Sequence, residues 1–342
     1  MISPDTDWDG VRLHVVTGKG GTGKTTVAAA MALALASAGR KVLLIEVEGR
    51  QAIARLFDCP PLPYQERKIA IGLGTGSDEG GDVLALAVDP EGALLDYLAM
   101  FYNMRRAGSA LTKLGVVDFA TTIAPGLSDV LVTGKATEAT RRRIKPGSKE
   151  SPHVYDAVVM DAPPTGRIGR FLNVSTEVSD LAKVGPIRTH ADTVAKVIRS
   201  PQTAVHFVTT LEEMPVQETL DGLAELQELT DGAIAPGAIV VNMARPALLS
   251  PDELAAAASG SLDVAGLAAG LKAAGIADDD HLAADLAAEL REHALQVALQ
   301  DRARAELRTA GRPQYELPML TDGIDLAALY ELAAALRQQG AA

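Results

Sequence analysis

The sequence of 342 residues predicts an α/β fold built on a mostly parallel, doubly wound sheet. Short apolar runs rich in β-branched residues alternate with longer helix-forming runs along the whole chain. This is the pattern of a parallel sheet covered by helices on both faces. A glycine-rich loop directly follows the first apolar run, where a strand leads into a helix. No repeat of fixed period is visible along the chain.

Seven apolar runs have the length and composition of strands. They cover residues 11–17, 41–47, 82–88, 154–160, 204–210, 237–242 and 313–317. Helical patterns cover residues 91–106, 126–143, 174–199, 213–230 and 323–338. Two regions, 91–150 and 248–310, are longer than a strand–helix unit requires. We expect them to form helical elaborations at one edge of a single domain that spans residues 1–342.

Composition narrows the class of protein further. The formal net charge is −12 and the pI is about 5.0, so we expect no broad cationic face and no nucleic-acid partner. Cys59 is the only cysteine, which excludes an internal disulfide and a self-contained cysteine metal site, and fits a reducing cytoplasm. The N-terminal residues are polar and acidic, unlike a signal peptide, and no apolar run could span a bilayer. We expect a cytoplasmic protein without an integral membrane segment.

Residues 18–26 read GKGGTGKTT and match the phosphate-loop pattern G-x-x-x-x-G-K-[ST]. The run before this loop alternates like a strand, and the run after it is a strong helix former that ends at Gly39. This order directs backbone N–H groups and a helix N-terminus at a bound phosphate, as in a P-loop NTPase. The predicted nucleotide-binding residues of the loop are Gly18, Gly20, Gly21, Thr22, Gly23, Lys24, Thr25 and Thr26.

Three side chains of this phosphate loop have predicted roles with ATP. Lys24 would reach the β- and γ-phosphates, and the Thr25 hydroxyl would ligate Mg²⁺. Lys19 is a second lysine, directly after the first glycine. Two lysines in one loop suggest a nucleotide machine whose sites are completed by a second subunit.

An acid at the end of a neighbouring strand completes the predicted metal site. Asp161 ends the apolar run 154–160, where it would hold the Mg²⁺ shell beside Thr25. The alternative is an aspartate that only caps the following helix. The rigid turn after Asp161 contains Thr165 and Gly166, which we expect to contact the γ-phosphate and act as a switch.

The second predicted strand ends with two further carboxylates, Glu46 and Glu48. One of them is placed to orient or deprotonate the attacking water, because the carboxyl end of this strand should lie beside the phosphate site. Strand alternation puts both on one face, so the pattern does not choose between them. A solvated strand end is the alternative interpretation.

These motifs together resemble the ArsA-like ATPases, which include the arsenite-pump ATPase and the relatives that target tail-anchored membrane proteins. The resemblance is greatest to actinobacterial members. It rests on six motifs in the order found in that family. They are GKGGTGKTT, the acid segment of strand two, Val88-Asp89-Pro90, Ala124-Pro125-Gly126, Asp161-x-x-Pro164-Thr165-Gly166 and Val240-Val241-Asn242.

The resemblance implies a nucleotide-driven dimer in which Lys19 crosses the interface to the partner's phosphates. It also implies that Asn242 holds the adenine and that the loop around Leu317 and Pro318 closes over the base. Considered without the family, Asn242 could equally be a turn residue. The family's catalytic aspartate falls on Glu48, with Gly49-Arg50 in place of Pro-Ala. The longer carboxylate changes the reach to water, so slow or partner-dependent hydrolysis is an expected consequence.

Two family features are absent from the sequence. It has no Cys-x-x-Cys zinc clasp, and a lone Cys59 cannot form the arsenite pump's three-thiolate site, which argues against arsenite transport. The leading hypothesis is a Mg²⁺-dependent ATPase that opens and closes as a dimer to handle a protein or anionic cargo. The alternative is an ATP- or ADP-binding switch subunit that acts with a paralogous ATPase.

The resemblance leaves the partner open, as a homodimer or a heterodimer with a paralogue. Peripheral membrane contact also stays open. A DNA- or membrane-partitioning ATPase is a third class, but the acidic charge and the lack of a basic amphipathic C-terminal helix weigh against it.

Overall fold

A computed structural model describes residues 7–74, 79–89, 91–95, 127–148, 150–181, 186–276, 281–321 and 323–342. Its strands are β1 (Leu13–Gly18), β2 (Val42–Glu46), β3 (Arg67–Ile71), β4 (Asp82–Ala87), β5 (Ala157–Asp161), β6 (Thr203–Thr209), β7 (Pro236–Ala244) and β8 (Gln314–Pro318). They form one sheet in the order β3-β4-β2-β5-β1-β6-β7-β8, parallel except between β3 and β4. The strand that leads into the phosphate loop, β1, therefore lies inside the sheet between β5 and β6.

The helices are numbered here in chain order within the described residues. They are α1 (Lys24–Ser37), α2 (Ala52–Leu56), α3 (Leu127–Arg141), α4 (Thr165–Leu181), α5 (Pro186–Ile198), α6 (Glu213–Leu229), α7 (Pro251–Ser259), α8 (Val264–Ala273), α9 (Leu282–Arg308) and α10 (Leu326–Gln338). As in the predicted pattern, α1 directly follows the phosphate loop.

Helices cover both faces of the sheet. Val27 of α1 and Leu332 of α10 belong to the buried cluster on one face. Phe171 of α4, Leu226 of α6 and Leu307 of α9 belong to the cluster on the other. Strands β1, β2, β5 and β6 are buried along their length, which explains their continuous apolar runs. The predicted α/β fold with a mostly parallel, doubly wound sheet is confirmed.

The edge strand β3 is missing from the predicted strands. Its sequence, RKIAI, begins with two exposed charged residues and has no buried residue. It pairs antiparallel with β4, and the register shifts between Lys68 and Ala70. An edge strand that is only partly covered lacks the apolar run of a buried parallel strand, so its pattern is weak.

The predicted helix at 174–199 is also wrong in its bounds. The structure has two helices there: α4 begins at Thr165, nine residues before 174, and ends at Leu181, and α5 begins at Pro186. Proline is favoured at the first position of a helix, where its missing N–H costs no hydrogen bond. Pro186 therefore marks the start of a second helix within a pattern that looks continuous.

The two predicted elaborations are described to different extents. In the first, residues 91–95 and α3 are helical, whereas residues 96–106 of the predicted helix and the Ala124-Pro125-Gly126 motif lie outside the described residues. In the second, 248–310, the helices are α7, α8 and α9. No helix in the described part of the chain is long and apolar enough to cross a membrane.

Candidate nucleotide site

The phosphate loop occupies the carboxyl end of β1 and bends sharply before α1. Gly23 precedes α1 in the left-handed conformation, with φ of 83°, which glycine adopts without steric cost. A Cβ on Gly23 would overlap the side-chain amide of Asn242. A Cβ on Gly18 would overlap the carbonyl oxygen of Val208 on β6. These two glycines therefore let the loop lie directly against β6 and β7.

The structure brings the two predicted Mg²⁺ residues together. The Thr25 hydroxyl donates a 2.7 Å hydrogen bond to Oδ2 of Asp161, which ends β5 beside β1. Asp161 is buried, and desolvation raises its pKa to about 6. That value is the net result, because the hydrogen bond from Thr25 and the charge of Lys24 lower the pKa whereas Glu46 and Glu48 raise it. A hydroxyl and a buried carboxylate are oxygen donors that suit Mg²⁺, and a divalent cation would stabilise the ionised carboxylate.

The structure separates the two carboxylates that strand alternation left equivalent. Glu46 is 1% exposed, and its carboxylate accepts hydrogen bonds from the backbone N–H groups of Ala52 and Ile53, both at 3.2 Å. Glu46 thus satisfies the first N–H groups of α2, which have no partner within the helix. Both oxygen atoms of its carboxylate therefore hold this turn in place.

Glu48 lies in a different environment from Glu46. It lines an open cavity of about 340 Å³, with Gln51, Tyr64 and Asp89 among the other lining residues. Its Oε2 is 3.4 Å from Nη2 of Arg50. Of the two acids, Glu48 is therefore the one that borders this open cavity, and its charge also acts on Asp161.

The predicted switch turn is tied to the loop strand at one end and carries an unpartnered hydroxyl at the other. The Thr17 hydroxyl donates to the carbonyl oxygen of Pro163 at 2.7 Å. Thr165 begins α4, and its buried Oγ1 has no hydrogen-bond partner among the described residues. Leaving a buried hydroxyl unpaired costs about 1–3 kcal/mol. A phosphate oxygen or an ordered water would remove this cost. Gly166, the next residue, is exposed.

The two residues proposed for the base lie at the carboxyl ends of neighbouring strands. Asn242, on β7, is 5% exposed, and its Nδ2 donates a 3.0 Å hydrogen bond to the carbonyl oxygen of Thr22. Pro318 ends β8 and pairs with Ala244 of β7. The bond to Thr22 supports the phosphate loop from β7. The sequence pattern gave no indication of it, because the partners are 220 residues apart.

Glu218 is a residue near the loop that the sequence interpretation missed. Its Oε2 lies 3.4 Å from Nζ of Lys19, and both side chains are about one-third exposed. Glu218 is on α6, the helix after β6, and the carboxyl end of β6 pairs with the end of β1. No motif marks this glutamate. Only the order of strands in the sheet, with β6 beside β1, could have indicated that Glu218 lies beside Lys19.

Comparison with known proteins assigns the family. The ArsA ATPase family model, described as anion-transporting ATPase, matches residues 11–201, which include the phosphate loop, β2 and β5. The chain therefore belongs to the ArsA ATPase family, as the motifs predicted. Membership of an ATPase family implies nucleotide binding.

Among individual proteins, the chain is 52% identical to ATPase BagA of Mycobacterium tuberculosis over 331 residues. This match covers 97% of the chain and 94% of BagA. More distant similarity reaches ATPase get3 of Neurospora crassa, with 28% identity over 53% of this chain and 48% of the relative. ATPase get3 of Botryotinia fuckeliana is 26% identical over 64% of this chain and 58% of the relative.

Proposed function

We propose that this protein is a Mg²⁺-dependent ATPase whose active site lies at the carboxyl ends of β1, β2 and β5. The observation that carries the proposal is the 2.7 Å hydrogen bond between Thr25 and Asp161, directly beside the phosphate loop. A phosphate loop alone binds a phosphate, whereas an adjacent hydroxyl and carboxylate add the donor set for a nucleotide-bound cation. The predicted metal pair is therefore also close in space.

In the proposed reaction, the loop N–H groups and Lys24 hold the β- and γ-phosphates of ATP. Thr25 and Asp161 would hold Mg²⁺, which would neutralise charge on the phosphate oxygens. Water attacks the γ-phosphorus in line, the bond to the bridging oxygen breaks, and ADP and phosphate result. Glu48 orients the water and accepts its proton. The 25% exposure of the Glu48 side chain and its position at the cavity support this role.

The remaining predicted residues surround the nucleotide. Thr165 and Gly166 would contact the γ-phosphate, and the unpartnered Thr165 hydroxyl supports that assignment. Asn242 and Pro318 would hold the adenine from β7 and β8. Asn242 already donates one amide hydrogen to Thr22, so binding of the base would use its other atoms.

The proposed cycle couples ATP to a dimer. Lys19 of each subunit would reach the phosphates bound to the other, so that ATP closes the dimer and hydrolysis opens it. The helical regions 91–150 and 248–310 would then change what they bind, which is a protein or a small anion. The partly exposed position of Lys19 at the loop supports a role outside its own subunit.

A second candidate function is a nucleotide-binding switch that hydrolyses little ATP alone and acts with a paralogous ATPase. The contact between Glu48 and Arg50 favours it, because a guanidinium beside the carboxylate competes with water for the same oxygen atoms. Turnover that appears only when a paralogous subunit is added would select this function.

The test of the leading proposal is ATP hydrolysis by the purified chain with and without Mg²⁺. Lys24→Ala should abolish nucleotide-dependent behaviour, because it removes the charge that contacts the β- and γ-phosphates. Lys272→Ala, at an exposed lysine on α8, is the matched control and should retain wild-type turnover. Equal turnover by the two variants would contradict the proposed site.

A further inference from the structure

The ion pair between Lys19 and Glu218 joins the phosphate loop to α6 within one subunit. Its nitrogen–oxygen distance is 3.4 Å, and the two side chains are 30% and 33% exposed. Among the described residues, this is the ion pair that Lys19 makes. A lysine ammonium is a compact point charge, so a carboxylate and a phosphate compete for it. Lys19 is thus held by a carboxylate of its own chain.

The same helix also contacts the predicted switch turn. A Cβ on Gly222 would overlap the methyl group of Thr165, so Thr165 packs directly on the backbone of α6. Gly222 follows Glu218 by four residues, which is one helical turn on the same face. Thr165 also carries the buried hydroxyl that lacks a partner. A movement of Thr165 would therefore act on α6 one turn from the residue that holds Lys19.

We propose that Glu218 is a positioning residue that restrains Lys19 before the dimer closes, and that contact between Thr165 and Gly222 couples its release to the γ-phosphate. This inference rests on the proposed function, in which Lys19 acts across the dimer interface. It adds a residue on α6 that controls when Lys19 becomes available. Before Lys19 can cross to the partner's phosphate, it must leave Glu218.

The strength of the pair is suited to a reversible restraint. Partly exposed ion pairs change an equilibrium by no more than about fivefold, because water and salt screen the charges. Loss of the pair should therefore shift the nucleotide concentration at which the dimer forms by about two- to fivefold. It should leave kcat at saturating ATP unchanged, because Lys19 has already left Glu218 in the closed dimer.

The experiment compares Glu218→Gln with Glu228→Gln, a matched charge change at an exposed position on the same helix. Dimer formation is measured by light scattering against concentration of a non-hydrolysable ATP analogue, and turnover is measured in parallel. Glu218→Gln should lower the half-maximal concentration about two- to fivefold relative to Glu228→Gln. This difference should shrink at about 1 M salt, where the Debye length is about 3 Å. A purely structural effect of the substitution would not respond to salt in this way.

The effect should also depend on Lys19. In a Lys19→Ala background, Glu218→Gln should produce no further change, because the restrained group is absent. Identical behaviour of Glu218→Gln and Glu228→Gln would overturn the inference, and so would a higher half-maximal concentration or a lower kcat for Glu218→Gln.

Lys19→Ala alone separates this failure from failure of the proposed function. If it removes turnover while Glu218→Gln has no effect, only the restraint is wrong. If Lys19→Ala hydrolyses ATP normally at saturating nucleotide, the cross-subunit role of Lys19 is wrong, and the proposed restraint by Glu218 is then wrong as well. A chain that stays monomeric with the analogue would also reject both.

Discussion

The two sides of β1 contribute different groups to the candidate site. On one side, β5 and β2 carry carboxylates at their carboxyl ends. Asp161 contacts Thr25, Glu46 binds the first turn of α2, and Glu48 borders the cavity. Burial is the main cause of the raised pKa of Asp161, and the charges of Glu46 and Glu48 add to it. This side concentrates negative charge where a divalent cation would bind.

On the other side of β1, β6, β7 and α6 carry groups that hold the loop. The carbonyl of Val208 lies against Gly18, Asn242 donates to the loop backbone, and Glu218 pairs with Lys19. The first two of these contacts, from Val208 and Asn242, do not involve an ionised side chain. One side therefore groups the carboxylates and the Thr25 hydroxyl, to which the proposed function assigns metal and water chemistry, and the other side holds the loop in position. Substitutions on the first side should therefore change kcat or the Mg²⁺ dependence, whereas substitutions on the second should change stability or nucleotide affinity.

The largest expected effect is on the carboxylate side, at Glu48. Glu48→Gln should lower kcat by about 100-fold or more and leave KM nearly unchanged, because an amide cannot accept the proton from water. Steady-state ATP hydrolysis measures both constants. Glu46→Gln is the matched control, and it should alter thermal stability more than kcat. A Glu48→Gln variant with wild-type kcat would show that this side lacks the proposed base.

The next effect concerns the metal on the same side. Asp161→Asn should weaken Mg²⁺-dependent nucleotide binding by about 10- to 100-fold, because it removes the charge that supports the metal shell. Calorimetric titration of ATP at several Mg²⁺ concentrations measures this change. Asp156→Asn, at an exposed position just before β5, is the control for charge. Equal Mg²⁺ dependence in both variants would contradict the metal role.

On the loop-holding side, a buried histidine pair should make the stability of the fold depend on pH. His14 of β1 and His206 of β6 are fully buried and 3.2 Å apart, and the backbone N–H of Ala238 donates to Nδ1 of His206. His206 is therefore assigned its proton on Nε2, which donates to His14. Burial lowers the pKa of His206 to about 3 and lowers the pKa of His14 well below 6.5.

Both histidines stay neutral when folded, whereas the unfolded chain protonates them below about pH 6.5. Their contribution to stability is thus complete above pH 6.5 and is lost as pH falls from 6.5 toward 3. The unfolding constant should rise by up to about tenfold per pH unit for each histidine. Urea unfolding between pH 7 and 5 should show a shallower pH dependence for His14→Gln than for the wild type. An unchanged dependence would argue against a neutral buried pair.

The smallest expected effect is at Asn242. Asn242→Ala should weaken nucleotide binding by about fivefold, because loss of one hydrogen bond of about 1 kcal/mol loosens the loop. Nucleotide titration with fluorescence detection measures the affinity, and kcat should be nearly unchanged. A drop in kcat without a change in affinity would place Asn242 with the chemical residues instead.

The sequence predicted the chemical side of this site better than the supporting side. The loop, Thr25 and Asp161 belong to local motifs, so the phosphate-loop pattern and an acid at the end of a later strand were enough to predict that they lie together. Strand alternation could not distinguish Glu46 from Glu48. The two differ because the carboxylate of Glu46 accepts hydrogen bonds from the first N–H groups of α2, a contact that the strand pattern does not show. Glu218 escaped notice because its partner lies about 200 residues earlier in the chain.

The same distinction holds for the fold. Buried parallel strands have apolar runs that predict them, whereas the partly exposed strand β3 has two charged residues and pairs antiparallel. The boundary between α4 and α5 depended on one proline within a continuous helical pattern. Short-range patterns therefore predicted the mostly parallel sheet and the loop context, but not the edge strand or the tertiary contacts that position the loop.

In the proposed function, ATP binding at the phosphate loop closes a dimer through Lys19. The most direct measurement is the solution mass of the chain without nucleotide, with ADP and with ADP and a transition-state mimic, together with ATP turnover. We expect a closed dimer with the mimic, measurable turnover, and loss of turnover but not of nucleotide binding in Lys19→Ala. A monomer in all three states with no turnover would contradict it.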